Sequence, residues 1–162
     1  VHSFFEVAVP THAEKLLEFD RLKEIVSRST TCAPGRRVIQ ALAPHEDVAA
    51  LEAEFALIQE GIAYLRAGSD LGFGSLADPE AWLAQIGVPG SVLEPLQLLD
   101  VVSLMETAGG VRQTFKSDSA KYPRLAERAA ALADFRPLSA AIRRAVLPNG
   151  EISDDASPQL KR

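Results

Sequence analysis

Apolar residues recur at spacings of three and four almost from end to end of the chain, and the alternation of a half-buried strand is nearly missing. The pattern predicts an all-α protein, a multi-helix bundle. A first helix is expected from Thr11, whose hydroxyl and the Glu14 carboxylate form an S/T-x-x-E capping box. Its apolar face is Leu16, Phe19, Leu22 and Val26, with Leu17 and Ile25 at the margin. A short helix follows from about Pro34 and ends by Pro44, with Val38, Ile39 and Leu42 on its apolar side. Residues 46–67 give the clearest signal. Glu46 and Asp47 suit the positive end of a helix dipole, and Val48, Leu51, Phe55, Ile58, Ile62 and Leu65 repeat with a coiled-coil-like 3,4,3,4,3 spacing until Gly68 stops the run.

Beyond a loop containing Gly72 and Gly74, Asp78 and Pro79 predict the cap and first turn of a brief helix through Trp82, Leu83 and Ile86. A long helix is predicted over residues 91–116, apolar nearly all round in its first half, as suits the middle of a bundle. Gly109 and Gly110 cost it about 1 kcal/mol each and predict a kink or a close helix crossing. Helices after Pro123 (Leu125, Ala129, Leu132 inward) and after Pro137 (Leu138, Ile142, Val146) complete the bundle. Asn149 and Gly150 then predict a two-residue hairpin turn with positive φ at both positions, a small β-hairpin near the C-terminus. Ser157 and Pro158 read as a further helix start, so the chain is expected to be a piece of something longer. On this reading the seam from Val48 to Leu65 and the apolar helix from Val92 are the structural heart, and Ile58→Asp or Leu99→Asp should unfold the domain.

Composition narrows the class. The 162 residues are 47% hydrophobic and 24% charged, a globular balance that argues against disorder. A single cysteine, Cys32, and the lack of a long apolar run or a basic leader point to a reducing, cytoplasmic setting without a membrane span. The net charge of −5 conceals a segregation: residues 46–106 carry 11 acids and one base, Arg66, whereas residues 107–146 carry eight bases and three acids. Two readings stay open, solvated helix faces or oppositely charged faces that meet within the fold or on a partner.

Little catalytic chemistry is written here. There is no G-x-x-x-x-G-K-[ST] phosphate loop, and Gly72-Phe73-Gly74 follows no strand and reads as plain loop. His2, His12, His45 and Cys32 lack metal-site spacing, and Cys32 reads as a small packed residue. Glu52 with Glu54, and Asp154 with Asp155, are spaced to point apart and form no acid/base dyad. Trp82, Tyr64 and Tyr122 are too dispersed for a base-stacking platform. No catalytic, cofactor-binding or metal residue is therefore assigned. Lys116, Lys121, Arg124 and Arg128 are the candidate nucleic-acid contacts, and the pairs Arg36-Arg37 and Arg143-Arg144 are weaker phosphate candidates.

Two strings carry a resemblance. Leu17-Glu18-Phe19-Asp20 followed by Leu22, Ile25, Ser29, Gly35 and Pro44 forms the first; the second is Pro148-Asn149-Gly150-Glu151-Ile152 running into Asp154-Asp155-Ala156-Ser157-Pro158-Gln159-Leu160. In this order and spacing they resemble MutS2, the bacterial MutS-like ATPases with a C-terminal Smr domain. The resemblance implies a helical core domain like that of MutS over residues 16–147, a leader at 1–15, and the hairpin with the start of a lever helix at 148–162. It further implies a non-catalytic segment whose P-loop ATPase, with ATP and magnesium, and Smr nuclease lie downstream. The implied partners are the rest of its own chain, branched or structured DNA, in some bacteria collided ribosomes, and a second subunit. Alternatives from the residues alone are a stand-alone helical protein-interaction module, or a small enzyme with a helical active site that a deep polar pocket would reveal.

Overall fold

The computed structural model describes residues 16–44 and 47–156. The expected Thr11 capping box, the leader, Glu46 and the helix start at Ser157 lie outside the described residues. Among the described residues seven α-helices follow one another: α1 Phe19–Ser27, α2 Ala33–Gln40, α3 Val48–Arg66, α4 Glu80–Ile86, α5 Pro95–Ser117, α6 Pro123–Ala130 and α7 Arg136–Ala145, with a 3-10 turn at Phe73–Ser75. The chain is all-α, as the periodicity predicts. α5 is the central strut and packs against α6 and α7; α3 packs on α6, and α1 on α2.

Local chemistry explains most boundaries. The Asp47 carboxylate accepts the Ala49 and Ala50 amides at 2.9 and 3.2 Å and opens α3. Gly68 closes it at φ 79°, a left-handed conformation that glycine adopts without a Cβ clash. α5 begins four residues later than expected, because Pro95 sets its first turn and Glu94 and Gln97 form a reciprocal capping box. Asp78 accepts the Glu80 amide at 3.1 Å at the start of α4.

Three expectations are corrected. Gly109 and Gly110 do not interrupt α5, which runs unbroken for 23 residues. Their combined cost of about 2 kcal/mol is smaller than the cooperative gain of a long helix held by α6 and α7 and by the buried Val101, Val102 and Phe115. No close crossing uses them either, since a Cβ on either glycine would meet nothing within 4 Å. The two-residue turn is a three-residue loop. Leu147 donates to Glu151 at 2.8 Å and Gly150 to Leu147 at 2.9 Å, with only Gly150 at positive φ, 84°. Pro148 favours the first central position of a type I turn, and Gly150 takes the left-handed place after it. What remains of the hairpin is one antiparallel bridge, Val146 to Ile152. Glu18 is left-handed at φ 50°, which breaks the expected first helix between the helical Leu16 and α1 at Phe19; its expected start at Thr11 lies outside the described residues.

The largest correction concerns the core. Tyr64, Phe115, Tyr122 and Ala129 form the buried cluster, with Leu71, Val111, Leu125 and Ala126 packed against it. The three rings lie 5.1, 5.5 and 6.2 Å apart between centroids in tilted and edge-on arrangements, the geometry aromatic quadrupoles favour. The seam expected to be the heart is instead mostly exposed, and so are Val92 and Leu96. Among the described residues eight hydrophobic side chains are buried, whereas 21 large ones stay exposed, so much of the apolar surface finds no partner among them. Periodicity marks an apolar stripe without saying which molecule covers it.

Candidate functional site

The acidic and basic blocks meet inside the fold. Tyr122 precedes α6 and supplies no side-chain cap, and Pro123 follows it, so the first amides of α6 have no local acceptor. The Glu60 carboxylate reaches across from α3 and accepts the Arg124 and Leu125 amides at 3.2 and 2.9 Å. A negative group at a helix N-terminus is favoured by both the free N–H groups and the dipole. One turn away, Arg128 of α6 approaches Glu54 of α3 at 3.8 Å. Farther along, Arg143 of α7 clamps Glu106 of α5 through two N–H groups at 3.0 and 2.8 Å. That fork holds the Glu106 carboxyl below its ordinary value and raises the guanidinium, the hydrogen bond outweighing a small desolvation cost. Arg37 of α2 similarly bridges to Asp78 at 2.6 Å and Glu80 at 3.1 Å, which fixes α2 against α4. The Arg37 hydrogen bond, and then the Glu80 amide, lower Asp78.

These ties join part of the two blocks: Arg128 pairs with Glu54 and Arg143 with Glu106 across helices, while the other bases of residues 107–146 make no ion pair to the acidic block among the described residues. They also sort the nucleic-acid candidates. Lys116, Lys121, Arg124 and Arg128 all lie exposed at the corner where α5 turns into α6. Arg128 is engaged with Glu54, and Lys121 sits 5.0 Å over the Tyr122 ring. Lys116 and Arg124 have no ion-pair partner among the described residues. Of the other basic pairs, Arg37 and Arg143 are committed to carboxylates, while Arg36 and Arg144 are exposed.

Elsewhere the chemistry is sparse. Cys32 is half-buried and lines a shallow hollow with Thr31, Arg36, Arg37, Gln40 and Asp78. A second hollow lies between Asp70, Leu71 and the Thr107, Gly110, Val111 and Thr114 side of α5. Gly72 adopts φ 70° where the chain enters the 3-10 turn, and Asp70 accepts its amide at 3.0 Å. Among the described residues no group of His, Cys, Asp and Glu is arranged to hold a metal ion, and no helix is long and apolar enough to cross a membrane. Glu60 and Glu106 are not singled out by the sequence, and Arg37, a phosphate candidate there, is instead committed to Asp78 and Glu80. The signal for Glu60 was present: a Pro-led helix with no local cap needs a remote acceptor.

Such an arrangement defines a class: an all-α unit, tied together by interhelix carboxylates, with large apolar side chains left exposed among the described residues. Comparison with known proteins gives the particular relationship. The chain is homologous to a segment of proteins named Endonuclease MutS2. It is 34% identical over 146 residues to that of Symbiobacterium thermophilum, covering 90% of this chain and 18% of the relative. The Gemmatimonas aurantiaca protein is 33% identical over 156 residues, covering 93% and 19%, and that of Pelotomaculum thermopropionicum 31% over 148 residues, covering 91% and 19%. The chain therefore spans about a fifth of the length of the curated relatives it matches. No family model matches it.

Proposed function

We propose that this chain is a non-catalytic helical core segment of a MutS2-like protein and that it couples a distant ATPase to a nucleic-acid clamp. The observation that carries this reading is the match itself, which runs through about nine-tenths of the chain but only about a fifth of each relative. The fold suits the role. A 23-residue strut, α5, is braced by α6 and α7, so a displacement at one end is transmitted instead of absorbed. ATP, magnesium and any nuclease chemistry belong to other parts of such a protein. DNA of branched or structured form, collided ribosomes and a second subunit are partners of the whole, in the cytoplasm.

The test is made in the full-length protein. Glu60→Ala should loosen α3 from α6, leave ATP hydrolysis without DNA near its original rate, and abolish the change in that rate on adding branched DNA. DNA stimulation at the original level would overturn the coupling role. Lys116 and Arg124 are proposed as the free cations of the DNA-facing corner. Reversing both to glutamate should weaken binding and reduce the salt dependence by roughly two counterions; an unchanged salt slope would remove the corner from the interface.

A further inference from the structure

The 162 residues contain a single asparagine, and it stands directly before a glycine, at Asn149-Gly150. Asparagine is a thermolabile residue. A glycine after it lacks the Cβ that would otherwise crowd the next main-chain nitrogen away from the side-chain carbonyl carbon. The reaction this permits is intramolecular. The Gly150 nitrogen gives its proton to solvent hydroxide and bonds to Cγ of Asn149; the Cγ–Nδ2 bond breaks, and ammonia leaves with a proton taken from water. Water then opens the five-membered succinimide at one of its two carbonyls, giving aspartate or isoaspartate.

The closed loop withholds each of these atoms. Gly150 donates its amide hydrogen to the Leu147 carbonyl at 2.9 Å, so the nucleophile is engaged. The leaving group is held too, because Nδ2 of Asn149 donates to Oε2 of Glu151 at 2.9 Å. Oδ1 of Asn149 accepts the Glu151 amide at 3.1 Å, an Asx turn that fixes the carboxamide toward residue 151. Both Asn149 and Glu151 are exposed, so water and hydroxide reach the site as soon as these bonds open.

The position gives the chemistry structural weight. The loop follows α7 and closes onto the bridge from Val146 to Ile152. Its tip touches the first turn of α5, where a Cβ built on Gly150 would sit 2.9 Å from Leu96. Isoaspartate would add a methylene to the main chain of this three-residue loop. Either product replaces the amide that donates to Glu151 by a second carboxylate, so that attraction becomes repulsion.

We infer that Asn149 is a site of spontaneous deamidation gated by opening of the loop, with the Glu151 carboxylate as its guard. The rate follows the fraction of molecules in which the Gly150 amide and the Asn149 carboxamide are released together. Once formed, the product loosens the loop from α5.

The experiment incubates the full-length protein at mildly alkaline pH, folded or in urea, and follows the peptide containing residue 149 by mass spectrometry for a gain of one dalton. Conversion should be roughly tenfold faster in urea than in the folded protein. Glu151→Ala should raise the folded rate at least threefold and leave the rate in urea unchanged, with helicity preserved by circular dichroism. Asn149→Asp, one of the two products, should speed hydrogen exchange across residues 146–152. No conversion even in urea would overturn the site, and equal rates folded and unfolded would overturn the gate. A folded Glu151→Ala rate no higher than the original, or a rise that persists in urea, would overturn the guard. Unchanged exchange in Asn149→Asp would overturn the loosening.

Discussion

Phe115 is 1% exposed between two tyrosine rings, whereas Ile58 is half in solvent, although both look alike in the sequence. The two residues should therefore behave differently. Phe115→Ala removes a buried ring and is expected to cost about 3 to 5 kcal/mol, measured by chemical denaturation. Ile58→Asp in the 162-residue chain should shift stability by no more than about 0.5 kcal/mol, as exposed substitutions do. This reverses the expectation drawn from spacing alone. A 3,4 repeat records that a stripe is apolar, and nothing in it records whether the covering atoms belong to the same 162 residues. Glu60 is a further case where the single residue was illegible but the need for it was not. Removing its carboxylate by Glu60→Ala leaves two α6 amides unpaired and should cost about 1 kcal/mol, the usual scale of a lost helix cap.

At the scale of the element, helix existence and order were legible, because capping residues, prolines and glycine stops act locally. Asp47, Pro95, Pro123 and Gly68 lie where such signals should be. What misled was glycine within α5, where tertiary bracing outweighs propensity. Because an added Cβ meets nothing at Gly109 or Gly110, either Gly→Ala change should raise stability by up to about 1 kcal/mol, readable as a higher melting temperature. Gly150 should respond oppositely: at φ 84° a Cβ would sit 2.9 Å from Leu96, so Gly150→Ala should lower the melting temperature. The ties between elements also carry a pH signature. Asp78 and Glu106 lie below their ordinary 3.8 and 4.5 in the fold, held by Arg37 and Arg143. Their contribution is complete above those ordinary values and disappears as pH falls through the lower folded ones. Thermal melts should thus be flat from neutral pH to about pH 5 and fall below about pH 4, and Glu106→Gln should blunt that fall.

For the whole molecule, the electrostatic pattern and the apolar pattern are used in opposite ways. Acidic and basic blocks that looked like separate surfaces join α3 to α6 and α5 to α7, so part of the charge segregation is spent internally. The apolar stripes are the reverse: α1, α2 and α3 each turn large side chains outward. The candidate DNA corner was legible as a cluster of bases, yet its division into engaged and free cations required the fold. The chain matches only about a fifth of each MutS2 relative, and on the proposed function the apolar surface left facing out is what other parts of a longer protein would cover.

The proposal that this chain belongs to a longer MutS2-like protein makes the exposed α3 seam an interior surface. Its most direct test is the thiol-labelling rate of Ile58→Cys in the full-length protein, in a Cys32→Ser background, against Ala63→Cys on another exposed face of the same helix. Cys at position 58 is expected to label at least tenfold more slowly than Cys at 63. Equal rates at the two positions would contradict it.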